Sequence, residues 1–213
     1  MSDRVRLTYA FDAYCGWCYG FGPAALHEFA AADAHRIELR VLSGGLFTGS
    51  RALPVSAYPH VPEADRRIAQ LTGVTFGDGY RCALAEGSAV MDSTDAATAL
   101  TALRRHAPAR ALELAGALQR AWYVDGRSLS DPDVHRAVAA EHGLDTDAVA
   151  ASYRSPATRT EAESEFRELR RLGVDACPTL LLHTPTGVHR PGGPVTSAAQ
   201  LTDALDKHLA PVA

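Results

Sequence analysis

Strand-like periodicity is confined to the two ends of this chain, and a long helical stretch separates them. At the front, Val5, Leu7, Tyr9 and Phe11 alternate along Arg4 to Phe11, the period-2 signature of a strand. A helix through Ala24, Leu26, Phe29 and Ala30 follows, with Pro23 tolerable in an early turn or as a kink. Ile37 to Leu42 reads as a second strand, bounded by Ser43-Gly44-Gly45. Such a strand–helix–strand opening suits parallel neighbours. At the back, Thr179 to His183 is an apolar run after Pro178, and Pro185-Thr186-Gly187 reads as a turn. Val188-His189-Arg190 returns as a hairpin, and a terminal helix runs from about Ser197 to His208.

The stretch between them is helical. Ala64 to Leu71 is amphipathic and ends at Gly73, Asp92-Ser93-Thr94 caps a helix towards His106, and Pro108 suits the first turn of one reaching Trp122. Asp131-Pro132 starts a helix through Val134, Val138 and His142 that Gly143 stops, and Ser155-Pro156 begins the last, which closes at Gly173. Setting residues 43–172 aside leaves a compact α/β unit in β-α-β…β-β-α order. The predicted organisation is therefore a discontinuous α/β domain, residues 1–42 and 173–213, with residues 43–172 as an inserted helical domain and its connecting segments.

Chemistry enters where the first strand ends. Cys15-Gly16-Trp17-Cys18 opens the first helix, which sets two thiols within bonding range and aims the first at solvent. Unsatisfied N–H groups and the positive dipole end at such a position favour thiolate over thiol. The thiolate is the nucleophile in disulfide exchange, and a second cysteine one turn on resolves the mixed disulfide. Reactive groups in open α/β sheets gather at the carboxyl ends of strands, and this pair lies at one.

Composition narrows the alternatives. Charged residues are 22% of the chain and the formal net charge is −4, which leaves no basic footprint for nucleic acid. No apolar run approaches the roughly 18–20 residues that span a bilayer, so no membrane partner is expected. Met1-Ser2-Asp3-Arg4-Val5-Arg6 shows no apolar signal core with a small-residue cleavage site, and the expected location is the cytoplasm. Four cysteines are too few for a disulfide scaffold, and in a reducing compartment a Cys-x-x-Cys is more often catalytic or metal-binding.

Two segments resemble the DsbA-like branch of the thioredoxin superfamily, including its cytoplasmic FrnE-like members: Phe11-Asp12-Ala13-Tyr14-Cys15-Gly16-Trp17-Cys18-Tyr19-Gly20 and Leu172-Gly173-Val174-Asp175-Ala176-Cys177-Pro178-Thr179-Leu180. Tyr123 to Asp131 looks like the linker such proteins carry before a late helix, and Arg66 to Gly73 is similar to a subgroup described as predicted protein-disulfide isomerases. The resemblance implies a thioredoxin fold with a helical domain inserted in its middle, Cys15 as the exposed attacking thiol and Cys18 as the resolving one. It also implies a cis Cys177–Pro178 bond facing the site, with the Cys177 backbone free to pair with an extended substrate segment. The expected partners are protein or peptide substrates carrying a disulfide or dithiol, and a homodimer is an assembly the sequence allows. Exchange requires no metal or organic cofactor, with glutathione as a candidate co-substrate. Three departures bear on redox direction: Gly16-Trp17 lacks the histidine of strongly oxidising members, Tyr9 stands where many thioredoxins have an acidic residue, and Cys177 stands where Val or Thr is commoner.

The individual residues also have plainer readings. Cys15 and Cys18 make only half of a four-ligand zinc set, with Cys82 and Cys177 isolated. Cys177 is a small buried residue or a third active-site thiol, and Cys82 is expected in the core. Trp17 is expected to be exposed beside the thiols as an apolar contact for substrate. Asp12 is a turn or capping residue, or a proton relay if burial raises its pKa. His135 and His142 are read as solvated surface residues. Two rival functions remain: a glutathione-dependent isomerase or transferase of the kappa or hydroxychromene carboxylate isomerase type, against which Cys18 argues, and a redox-switched binding protein.

Overall fold

The computed structural model describes residues 4–209. Strand β1 (Val5–Phe11) leads into α1 (Gly16–Phe21), which continues through a π-helical turn at Gly22–Leu26 into α2 (His27–Ala32). Pro23 has no N–H to give an ordinary helical ladder, and the π turn falls at that place. Strand β2 (Ile37–Ser43) returns parallel to β1, pairing Val5 with Ile37 through Phe11 with Ser43.

Seven longer helices follow: α3 (Val61–Thr72), α4 (Asp78–Glu86), α5 (Ser93–His106), α6 (Ala111–Tyr123), α7 (Pro132–Glu141), α8 (Thr146–Arg154) and α9 (Pro156–Arg171). Asp92, Asp131 and Asp145 cap α5, α7 and α8 by accepting N–H bonds from the first turn. Strand β3 (Thr179–Thr184) then lies antiparallel to β1, β4 (Gly187–His189) pairs with β3, and α10 (Ala198–Leu209) closes the described chain. The sheet order is β2-β1-β3-β4. The expected β/α core interrupted by a helical insertion is what forms.

β1 is central and covered on both faces, so Leu7 to Phe11 are all buried and the alternation is weaker than a half-exposed strand would show. Leu7, Tyr9 and Phe11 pack towards Phe21, Leu26 and Phe29, while Ala10, Leu42 and Leu181 pack with Leu169 and Val174. Polar ties also join sheet to insertion. Arg104 of α5 donates to the Val41 carbonyl at 2.8 Å and pairs with Glu165 of α9, which accepts from the Ser43 N–H at 2.8 Å.

Two expectations fail here. Cys82 is exposed, because α4 turns Tyr80 and Ala83 inward and leaves the intervening positions to solvent. His135 is buried on α7, with Nε2 2.7 Å from the Leu129 carbonyl, and burial lowers its pKa. No described helix is long and apolar enough to cross a membrane.

Candidate active site

β1 ends at Phe11, and a turn closed by the Cys15 N–H on the Asp12 carbonyl (3.1 Å) carries the chain into α1. Cys15 is the N-cap of α1, with extended backbone, and its sulfur accepts from the Cys18 N–H at 3.4 Å. Its thiol donates to the Cys177 carbonyl at 3.1 Å, and the Cys177–Pro178 peptide is cis. The two motifs from opposite ends of the sequence therefore meet, and all four cysteines are free thiols.

The expectation of an exposed attacking thiol is corrected. Cys15 is only 5% exposed and Cys18 is fully buried. The cover comes from Cys177, which arrives from the start of β3 and sits over the helix tip. Its sulfur is seated against Gly44, where any Cβ would collide with it, so glycine after β2 makes room for this side chain. Trp17 is half-buried against the main core rather than free in solvent. Gly16, Cys177 and Pro178 are likewise partly exposed, and they form the accessible rim of the site.

Burial drives the Cys18 pKa well up, and contact with the Cys15 and Cys177 side chains pushes it further. Beneath it, the Tyr9 hydroxyl is buried without a hydrogen-bond partner among the described residues; its own pKa is raised well above the ordinary value by burial and then by the adjoining Cys18. Tyr9 is thus the polar side chain set against Cys18, at the position where many thioredoxins have an acidic residue.

Asp12 lies at the end of β1, 2% exposed. Its carboxylate accepts from the Tyr14 N–H (3.0 Å), the Leu46 N–H (2.8 Å) and the Ser93 hydroxyl (3.0 Å). Burial raises its pKa against the pull of these bonds. All three partners are structural, so the carboxyl acts as a clasp between the helix tip, the loop after β2 and α5. Tyr14, next to Cys15, stacks edge-on against Trp122 and accepts from the Leu129 N–H at 3.2 Å, which places the linker around 123–131 behind the dithiol.

Asp65 of α3 escaped the sequence reading. Its carboxyl abuts Gly16, where an added Cβ would stand 3.3 Å from Oδ1 and 2.8 Å from Ile68, so the small residue between the cysteines lets α3 approach. Tyr80 donates to Asp65 at 2.9 Å, and burial raises the Asp65 pKa to about 6. The available signal was its place three residues before Ile68, on the buried face of an amphipathic helix.

Beside Cys177, Gly44 and Gly45 a cavity of about 580 Å³ opens, with Arg51 and Arg170 on its walls. Among the described residues, no group of three or more His, Cys, Asp or Glu is arranged to hold a metal ion.

The family described as DSBA-like thioredoxin domain matches residues 6–209. The cytosolic disulfide reductase DsbM of Pseudomonas aeruginosa superposes with a TM-score of 0.80 at 30% identity, covering 96% of this chain and 98% of that one. The same protein solved with GSH superposes at 0.78, again at 30% identity with 96% and 98% covered. A candidate protein disulfide isomerase of Nitrosomonas europaea shares the fold at a TM-score of 0.81 and 18% identity, with 96% and 97% covered. Comparison with curated protein sequences returns no match.

Proposed function

Because this chain belongs to the DSBA-like thioredoxin family, we propose that it is a thiol–disulfide oxidoreductase acting through Cys15 and Cys18 on protein, peptide or glutathione disulfides. The observation that carries the reading is the bond from the Cys15 thiol to the Cys177 carbonyl, which brings dithiol and proline loop into one site. In the reaction, the Cys15 thiolate attacks a substrate disulfide, and one substrate sulfur leaves as a thiolate that takes a proton from solvent. Cys18 then attacks the Cys15 sulfur of the mixed disulfide, and the second substrate sulfur leaves. Burial keeps Cys18 protonated until that step, when its proton passes to solvent or to the departing sulfur; the buried Tyr9 hydroxyl adjoins it. The reverse sequence oxidises a dithiol.

Identity of 30% over nearly the whole length of a cytosolic disulfide reductase supports the reducing direction and a cytoplasmic setting, in keeping with the FrnE-like resemblance of the motifs. The exposed guanidinium groups of Arg51 and Arg170 beside Cys177 suit the carboxylates of glutathione, which supports glutathione as co-substrate. The test is reduction of insulin and of a glutathione mixed disulfide, coupled to reduced glutathione. Cys15→Ser is expected to fall to background, and Cys18→Ser to stall as a mixed disulfide on Cys15. Turnover undiminished in Cys15→Ser would sink the proposal.

A further inference from the structure

A valine or threonine before the proline would fill its place without chemistry; this chain puts a thiol there and builds a seat for it. Gly44, just after β2, leaves open the space its Cβ would take from the Cys177 sulfur, so the thiol has a seat there. Cys18 lies against Cys15, whose sulfur accepts its N–H at 3.4 Å, and Cys177 packs against the cluster that holds both; the Cys15 and Cys177 side chains each act on Cys18, whereas the Cys15 thiol is engaged by the Cys177 carbonyl. Cys18 is the sulfur that the other two share.

We propose that Cys177 is a third redox-active thiol that takes over the active-site disulfide by attacking the Cys18 sulfur. The Cys177–Cys18 bond forms, the Cys15–Cys18 bond breaks, and its electron pair leaves on Cys15. Cys177 gives up its proton to solvent and the Cys15 thiolate can take one back, so the number of disulfides is unchanged and no outside oxidant is consumed. The proposal rests on the exchange reading above and extends it. The consequence is an oxidised enzyme that stores its disulfide in the Cys18–Cys177 pair and frees Cys15 to attack again. A free attacking thiol in the oxidised form is what shuffling of mixed disulfides requires.

The exposed Cys82 would obscure the thiol count, so the experiment uses Cys82→Ser as its parent. The parent is oxidised with glutathione disulfide, stripped of excess, quenched in acid and mapped by mass spectrometry for linked peptides. Native samples are pulsed with iodoacetamide, and Cys15-dependent turnover is measured on the same preparations. Expected are both Cys15–Cys18 and Cys18–Cys177 linkages in the parent, with Cys15 still alkylated. In the added Cys177→Val only Cys15–Cys18 remains, and Cys15 alkylation of the oxidised form slows by at least about tenfold. Cys177→Ala gives the same comparison without a branched side chain beside Gly44. If the parent turns over but carries Cys15–Cys18 as its sole linkage, with Cys15 as protected as in Cys177→Val, the third-thiol role is overturned and the exchange reading stands. Absence of Cys15-dependent turnover in the parent overturns both.

Discussion

The carboxyl of Asp65 abuts Gly16, between the two cysteines, and takes a 2.9 Å bond from the Tyr80 hydroxyl. Burial lifts its pKa from the ordinary 3.8 to about 6, so the folded state holds a proton that the unfolded chain releases earlier. The stability this group contributes is therefore fully present below about pH 4, is lost between about pH 4 and pH 6, and is level above that. The span corresponds to roughly 3 kcal/mol at most, and relaxation around the site leaves an expected about 1–2 kcal/mol. Asp65→Asn keeps an acceptor for Tyr80 and removes the titration. Relative to wild type it should gain that amount between pH 4 and pH 7.5, measured by urea denaturation at both. An unchanged difference between the two pH values would show that Asp65 does not titrate in this window.

At the scale of elements, the insertion is held to the sheet by a charge pair rather than by apolar packing alone. Arg104 on α5 and Glu165 on α9, 16% and 7% exposed, close over the end of β2, with bonds to the Val41 carbonyl and the Ser43 N–H. Removing one partner leaves the other charge buried, which costs about 3–5 kcal/mol. Glu165→Ala should therefore lower stability by about 3 kcal/mol or more, while a Glu165→Leu, Arg104→Met pair should recover most of the loss, both read from denaturation midpoints. A cost under about 1 kcal/mol for Glu165→Ala would mean the pair does not dock these helices. The elements themselves were largely legible: β1 from its alternation, β2 and β3 from apolar runs beside glycine or proline punctuation, and α5 and α7 from aspartate caps. α4 and α8 were not resolved as separate helices, being short and each burying only two side chains, Tyr80 and Ala83 in one and Val149 and Ala150 in the other. The burial of Cys15 was illegible for another reason. The residue it bonds across the site, Cys177, lies far away in sequence, and neither period nor composition reports contacts of that range. Asp65 was hidden because an acidic residue on a helix reads as solvated unless its neighbours in space are known.

Across the whole molecule, the main hydrophobic cluster runs from the sheet into the insertion without a break, with Tyr9, Phe21 and Leu26 beside Leu100, Leu114 and Trp122. A seam this apolar is unlike the polar, separable interface between domains that fold alone. The Asp12 clasp crosses the same seam, from β1 to the loop after β2 and to Ser93 at the head of α5. Unfolding should then be a single cooperative transition in spite of the discontinuous chain order. Tryptophan fluorescence reports from Trp17 at the site and Trp122 in the insertion, and far-UV circular dichroism is dominated by the inserted helices; their midpoints in urea should coincide. Asp12→Ala strips the acceptor from a buried N–H group, a part-buried one and a buried hydroxyl, for an expected loss of about 3 kcal/mol, and should move both signals together. Helical signal that outlasts the fluorescence change, in the wild type or in Asp12→Ala, would instead mark residues 43–172 as a body that stands without the sheet.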